Sequence, residues 1–177
     1  MSFKKNNYKV VRNAISAELA NFLYIYFQNK RQAVSVMKQT KYLSPFDKDQ
    51  GHFKDPGIPN SFSIYGDPAF ETVLMGLRNK VEKHTKLKLY ETYSYGRIYK
   101  KGDVLPRHKD RFSCEISVSL NYGGDPRPLF IEPDKTTGCA QVFLHYNNIK
   151  TTLADFNKYD TRPFLCLPEW FKKTQLP

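Results

Sequence analysis

The sequence predicts an α+β domain, a β-core buttressed by helices from its N-terminal half. Three observations carry this. Apolar residues recur at helical spacing in two segments before residue 86. From residue 87 onward the pattern changes to short β-rich runs punctuated by Gly, Pro and Asp. Helices followed by successive short strands favour an antiparallel core with the helices packed against it. At 177 residues the chain reads as a single domain, with helices and a long loop over 1–86 and the β-core and a C-terminal tail over 87–177.

The first helix is expected over Asn13 to Met37, where Ile15, Leu19, Phe22, Leu23 and Tyr26 share a face and Ser16 is placed to cap. From Leu43 to Ile64 the chain is rich in Pro, Gly, Asp and Asn, which reads as one long loop containing His52. Asp67-Pro68 marks a second helix start, followed by the apolar face of Phe70, Val73, Leu74, Leu77 and Val81. Strands are expected over Leu89 to Tyr95 and Arg97 to Tyr99, with a tight turn at Lys100 to Asp103. Glu115 to Tyr122 alternates Ile116, Val118 and Leu120 with Ser117, Ser119 and Asn121, the mark of a half-buried strand. Leu129 to Ile131 and Gln141 to Tyr146 complete the set.

Composition narrows the function classes. With 40% hydrophobic and 15% aromatic residues the chain is not intrinsically disordered. No apolar run reaches membrane-spanning length and the start resembles no signal peptide, so a cytoplasmic protein is expected. Cys114, Cys139 and Cys166 are too few and too widely spaced for a disulfide framework or a zinc motif. Cys114 is expected to be a buried, inert thiol, with reactive-cysteine chemistry as the alternative. The net charge of +11 is spread in pairs rather than blocks, a solvated basic face with a secondary attraction for acidic partners, and it accompanies no nucleic-acid motif.

The segment with the most chemistry is Arg107 to Ser119. On an extended strand His108 and Asp110 project from one face. An imidazole and a carboxylate so placed supply two of the three ligands of a facial triad on non-heme iron. The spacing alone is common and suits a solvated loop pair better than a metal site.

Around it, Tyr93-Ser94-Tyr95-Gly96-Arg97-Ile98-Tyr99, Gly102-Asp103, Pro106 to Ser119 and Asn121-Tyr122-Gly123-Gly124 resemble the 2-oxoglutarate- and Fe(II)-dependent dioxygenases of the prolyl 4-hydroxylase type. The resemblance begins near Phe62 and resumes at Gln141 to Asn147 and Tyr159 to Pro163. It implies a double-stranded β-helix, or jelly roll, flanked by the N-terminal helices. It implies an oxygenase that uses Fe(II), 2-oxoglutarate and ascorbate and hydroxylates a prolyl residue in a protein or peptide substrate. Carried over by position, His108 and Asp110 are the first two iron ligands. Tyr99 matches a tyrosine that hydrogen-bonds 2-oxoglutarate, and Ser119 or Asn121 would help to hold the same co-substrate.

The chain departs from the family between Ile131-Glu132-Pro133-Asp134 and Gln141-Val142-Phe143-Leu144. The family places a Pro-Gly-Asp turn, the distal histidine and a strand there; here only Lys135 to Ala140 intervenes, which reads as an internal deletion. His145 is the only downstream histidine, and it is either the third ligand or a hydrogen-bonded structural residue. For the basic partner of 2-oxoglutarate, Lys150, Arg162 and Arg127 are the candidates. Compensation through His145, an impaired enzyme and a sequence lacking a segment all remain open. The second function class is a non-catalytic jelly-roll module docking on an acidic protein.

Overall fold

The computed structural model describes residues 3–55, 57–106, 110–124, 142–152 and 154–157. Their elements are α1 (Phe3–Asn6), α2 (Ala17–Gln39), β1 (His52–Lys54), β2 (Pro59–Tyr65), α3 (Pro68–Thr85), β3 (Leu89–Ile98), a 3-10 turn (Phe112–Cys114), β4 (Ile116–Leu120), β5 (Val142–Asn148) and α4 (Ala154–Asn157). The expected strand at Leu129 to Ile131 lies outside the described residues.

The two long helices start where the sequence places their caps. The Ser16 hydroxyl accepts from the Leu19 amide, so α2 begins at Ala17 rather than at Asn13, whose φ of 53° is not helical. Asp67 accepts from the Ala69 amide and Pro68 opens α3. The same Asp67 carboxylate accepts from the Tyr26 hydroxyl at 2.8 Å and pairs with Lys30 at 3.4 Å, fastening α2 to the start of α3.

The strands form one antiparallel sheet in the order β1-β2-β3-β5-β4, and among the described residues it does not close on itself. The described residues therefore form an α+β fold with an open five-stranded sheet. One expectation is corrected. The Leu43 to Ile64 stretch is not a single loop, because His52–Lys54 and Pro59–Tyr65 pair with each other, and Phe62 to Tyr65 pair with Tyr95 to Ile98. Ladder hydrogen bonds and burial of Phe62 and Ile64 outweigh a composition that reads as loop.

The two faces of this sheet differ. Phe62 and Ile64 of β2, Ile116 and Leu120 of β4, and Leu144 and Tyr146 of β5 join Phe27, Phe70 and Leu74 of the helices in one apolar core. Gly96 of β3 permits that contact. A Cβ there would stand 2.7 Å from the Phe70 ring and 2.8 Å from the Phe27 ring. The alternate residues, Tyr65, Tyr93, Tyr95, Arg97, Phe143 and His145, look the other way and line a cavity. No helix among the described residues is long and apolar enough to cross a membrane.

Candidate functional site

The cavity holds about 500 Å³ and is floored by the polar face of the sheet. Among the described residues its charged lining is Lys48, Lys54, Arg97 and Arg111 against Asp55 and Asp110, an excess of cations. Two clusters are built into its wall.

The first gathers Asp110, Cys114 and His145, whose ligand atoms lie within 4.8 Å of one another. Three local features bring them together. Asp110 stands in irregular chain just before the 3-10 turn Phe112–Cys114, so it approaches Cys114 across a turn. Asp110 itself is not in a strand, and regular pairing starts at Ile116, after the turn. His145 arrives from β5, in register with Ser117 of β4 on one side and Tyr93 of β3 on the other.

Ser117 links the acid to the imidazole. Its hydroxyl lies 2.9 Å from Asp110 Oδ2, 3.1 Å from His145 Nδ1 and 3.2 Å from the Cys114 carbonyl oxygen. A hydroxyl has one proton, and its shortest contact is with the carboxylate. Donation there leaves the oxygen to accept from His145 Nδ1–H, and the imidazole lone pair then sits on Nε2.

Cys114 is a buried free thiol whose sulfur lies 3.0 Å from the Tyr93 hydroxyl. Arg111 donates to that hydroxyl at 2.7 Å and lies over the Tyr93 ring. Burial pushes the Cys114 thiol up from its ordinary value, while the Tyr93 hydrogen bond pulls it down. Burial likewise raises the Tyr93 phenol, so its proton is retained.

The second cluster centres on Asp55. Its Oδ2 accepts from Arg97 Nη2 at 2.6 Å, from Arg97 Nε at 3.1 Å, from Ser63 at 2.9 Å and from the Tyr95 hydroxyl. Its Oδ1 accepts from the Gly57 amide at 2.7 Å. Burial raises its carboxyl, but the Tyr95 and Arg97 hydrogen bonds and the Arg97 charge outweigh it and bring the value from 3.8 down to about 2. This cluster pins the chain around Gly57 to the sheet. Beside it, burial pushes the His52 imidazole down, against the pull of Asp55 and with the help of Lys48 and Lys38.

The sites expected from sequence fare unevenly. Asp110 and His145 meet in the first cluster. His108 lies outside the described residues, as do Arg127, Arg162, Cys139 and Cys166. Tyr99 accepts from Arg97 Nη1 at 3.1 Å and is not among the residues lining the cavity. Ser119 pairs with Phe143 in the ladder, and Asn121 caps its own turn by accepting from the Gly123 amide at 2.9 Å; neither lines the cavity. Lys150 is exposed in the turn after β5.

No family model, curated protein or solved structure matches this chain. The likeness to the prolyl 4-hydroxylase type therefore rests on its own residues.

Sequence reasoning passed over Ser117, Tyr93, Tyr95, Arg97, Arg111 and Asp55. A signal existed for three of them. Tyr93-x-Tyr95-x-Arg97 is a period-two run, which places all three on one face of a strand. Cys114 is buried, as the sequence leads one to expect, and it stands against two further ligand-type side chains.

Proposed function

We propose that this chain is an Fe(II)- and 2-oxoglutarate-dependent oxygenase that hydroxylates a prolyl residue in a protein or peptide, in a cytosolic setting. The observation that carries the reading is the meeting, on the wall of the cavity, of Asp110, two residues after His108, with His145 of β5, thirty-five residues further along the chain. A carboxylate and an imidazole fit a facial iron site, with His108 as the third ligand. The five-stranded sheet would be one half of the double-stranded β-helix.

Bound iron with 2-oxoglutarate supplies the dioxygen activation that C–H hydroxylation needs, and ascorbate would keep the metal reduced. The chain's own residues do the rest. Ser117 orients the carboxylate and the imidazole. The excess of cations in the lining favours a dianionic co-substrate, and Arg111 is its nearest guanidinium to the Asp110 cluster. Tyr65, Tyr93, Tyr95 and Phe143 give the cavity aromatic walls that restrict water around the reacting centre.

The test is succinate release from 2-oxoglutarate, with iron and ascorbate, in the presence of proline-containing peptides. Turnover that disappears in Asp110→Ala and His145→Ala supports the reading. Tight iron binding without turnover on any such peptide overturns the catalytic claim and favours a module that binds an acidic protein.

A further inference from the structure

Cys114 is the part of the first cluster that an oxygenase reading leaves unused. An oxygenase triad of imidazoles and a carboxylate has no place for sulfur, yet the Cys114 sulfur is one of three ligand-type atoms within 4.8 Å of one another. We infer that Asp110, Cys114 and His145 together form a metal site with a thiolate ligand, suited to a borderline divalent cation such as zinc or cobalt.

Four observations converge on this. The donor set is one sulfur, one imidazole nitrogen and one carboxylate oxygen, a combination that favours zinc-like ions over magnesium or calcium. The required geometry is close: bond lengths of about 2.0–2.3 Å place tetrahedral ligands roughly 3.4–3.6 Å apart. The widest separation therefore closes by little more than about 1 Å, and Asp110 stands in irregular chain rather than in the rigid ladder.

The outer contacts also match a coordinated thiolate. Arg111 can only donate, so the Tyr93 oxygen accepts from it, and the Tyr93 hydroxyl can in turn donate to a thiolate sulfur at the 3.0 Å separation seen here. A sulfur that receives a hydrogen bond backed by a guanidinium is stabilised in its anionic form. On the other side Ser117 holds both the carboxylate and Nδ1 of the imidazole, the supporting contact that coordinating histidines require. Finally, all three residues line the cavity, so the fourth position of a tetrahedral ion faces it.

Binding displaces the thiol proton to solvent and forms the sulfur–metal bond, with no change in oxidation state. The site does not rest on oxygenase activity and does not use His108.

Cobalt(II) added to the reduced full-length chain tests it, because thiolate coordination produces a near-ultraviolet sulfur-to-cobalt charge-transfer band. The wild-type chain is expected to bind one equivalent with that band and to lose it when zinc is added. Cys114→Ser is expected to abolish the band, although Cys139 and Cys166 are retained. Asp110→Asn and His145→Gln are expected to weaken cobalt binding by about tenfold or more, and His108→Ala to keep the band. Near-ultraviolet circular dichroism identifies any variant that fails to fold; Cys114→Ala then replaces Cys114→Ser. A band that survives in the folded Cys114 variants, or cobalt bound by the wild type without one, overturns the inference. Absence of succinate release leaves this result untouched, and turnover with iron in a chain lacking the band would sink the thiolate site while sparing the oxygenase.

Discussion

Ser117 and His145 are ladder partners on adjacent strands, and the serine hydroxyl meets the imidazole Nδ1 at 3.1 Å. The bond ties a candidate ligand to the backbone register of the sheet. Asp110 hangs from the same hydroxyl at 2.9 Å, so one small side chain sets the orientation of two ligands.

Removing that hydroxyl is expected to affect the site and spare the fold. Ser117→Ala should weaken cobalt or iron affinity by about 10–100-fold, the usual loss for an outer-shell contact. The thermal midpoint of the metal-free chain should change little. Calorimetric titration and a melting curve check the two halves separately, and unchanged affinity would show that Ser117 does not organise the site.

Asp55 gives the fold a defined acid sensitivity. Its carboxyl falls from 3.8 to about 2 on folding. A depressed carboxylate stabilises the folded state above its unfolded value, and that contribution disappears as pH falls through the folded value. About 2 kcal/mol should therefore be lost between roughly pH 4 and pH 2. Urea denaturation across that range reads it, and Asp55→Asn should flatten this part of the profile.

Arg97 and Asp55 form a buried pair, 7% and 5% exposed, so breaking one side strands the other charge. Arg97→Met is expected to cost about 3–5 kcal/mol. The double variant Asp55→Asn with Arg97→Met should be less destabilised than the sum of the single changes. Strict additivity in the denaturation cycle would mean that the two side chains are not coupled.

Gly96 is expected to tolerate no larger residue. Gly96→Val would drive methyl groups into the Phe27 and Phe70 rings and cost about 1–3 kcal/mol by overpacking. Gly96→Ala should do less harm, with both read from the denaturation midpoint. A neutral valine would show that the helix pair moves away from β3 without loss.

The parts of the molecule with local signals were legible in the sequence. Ser16 and Asp67-Pro68 mark helix starts through their own side-chain chemistry, and the alternation over Ile116 to Leu120 identifies β4. β1 and β2 were hidden because their stability is not local. Pro59, Asn60 and Ser61 acquire strand structure by pairing and by what Asp55 and Arg97 hold together across forty-two positions. The metal-ligand cluster was half visible. Asp110 and His145 could be named as residue types with the right chemistry, but an extended reading of Asp110 gave no reason to set it against Cys114. The 3-10 turn supplies that reason.

β5 carries two separate inheritances in alternate letters. Leu144 and Tyr146 are fully buried on the helix side, and Tyr146 also donates to the Leu74 carbonyl oxygen at 2.7 Å. Phe143 and His145 belong to the cavity. A drift in the odd positions rewrites what the cavity recognises, while a drift in the even positions dismantles the domain. Chemistry on this strand can thus be lost or exchanged over generations while the architecture persists.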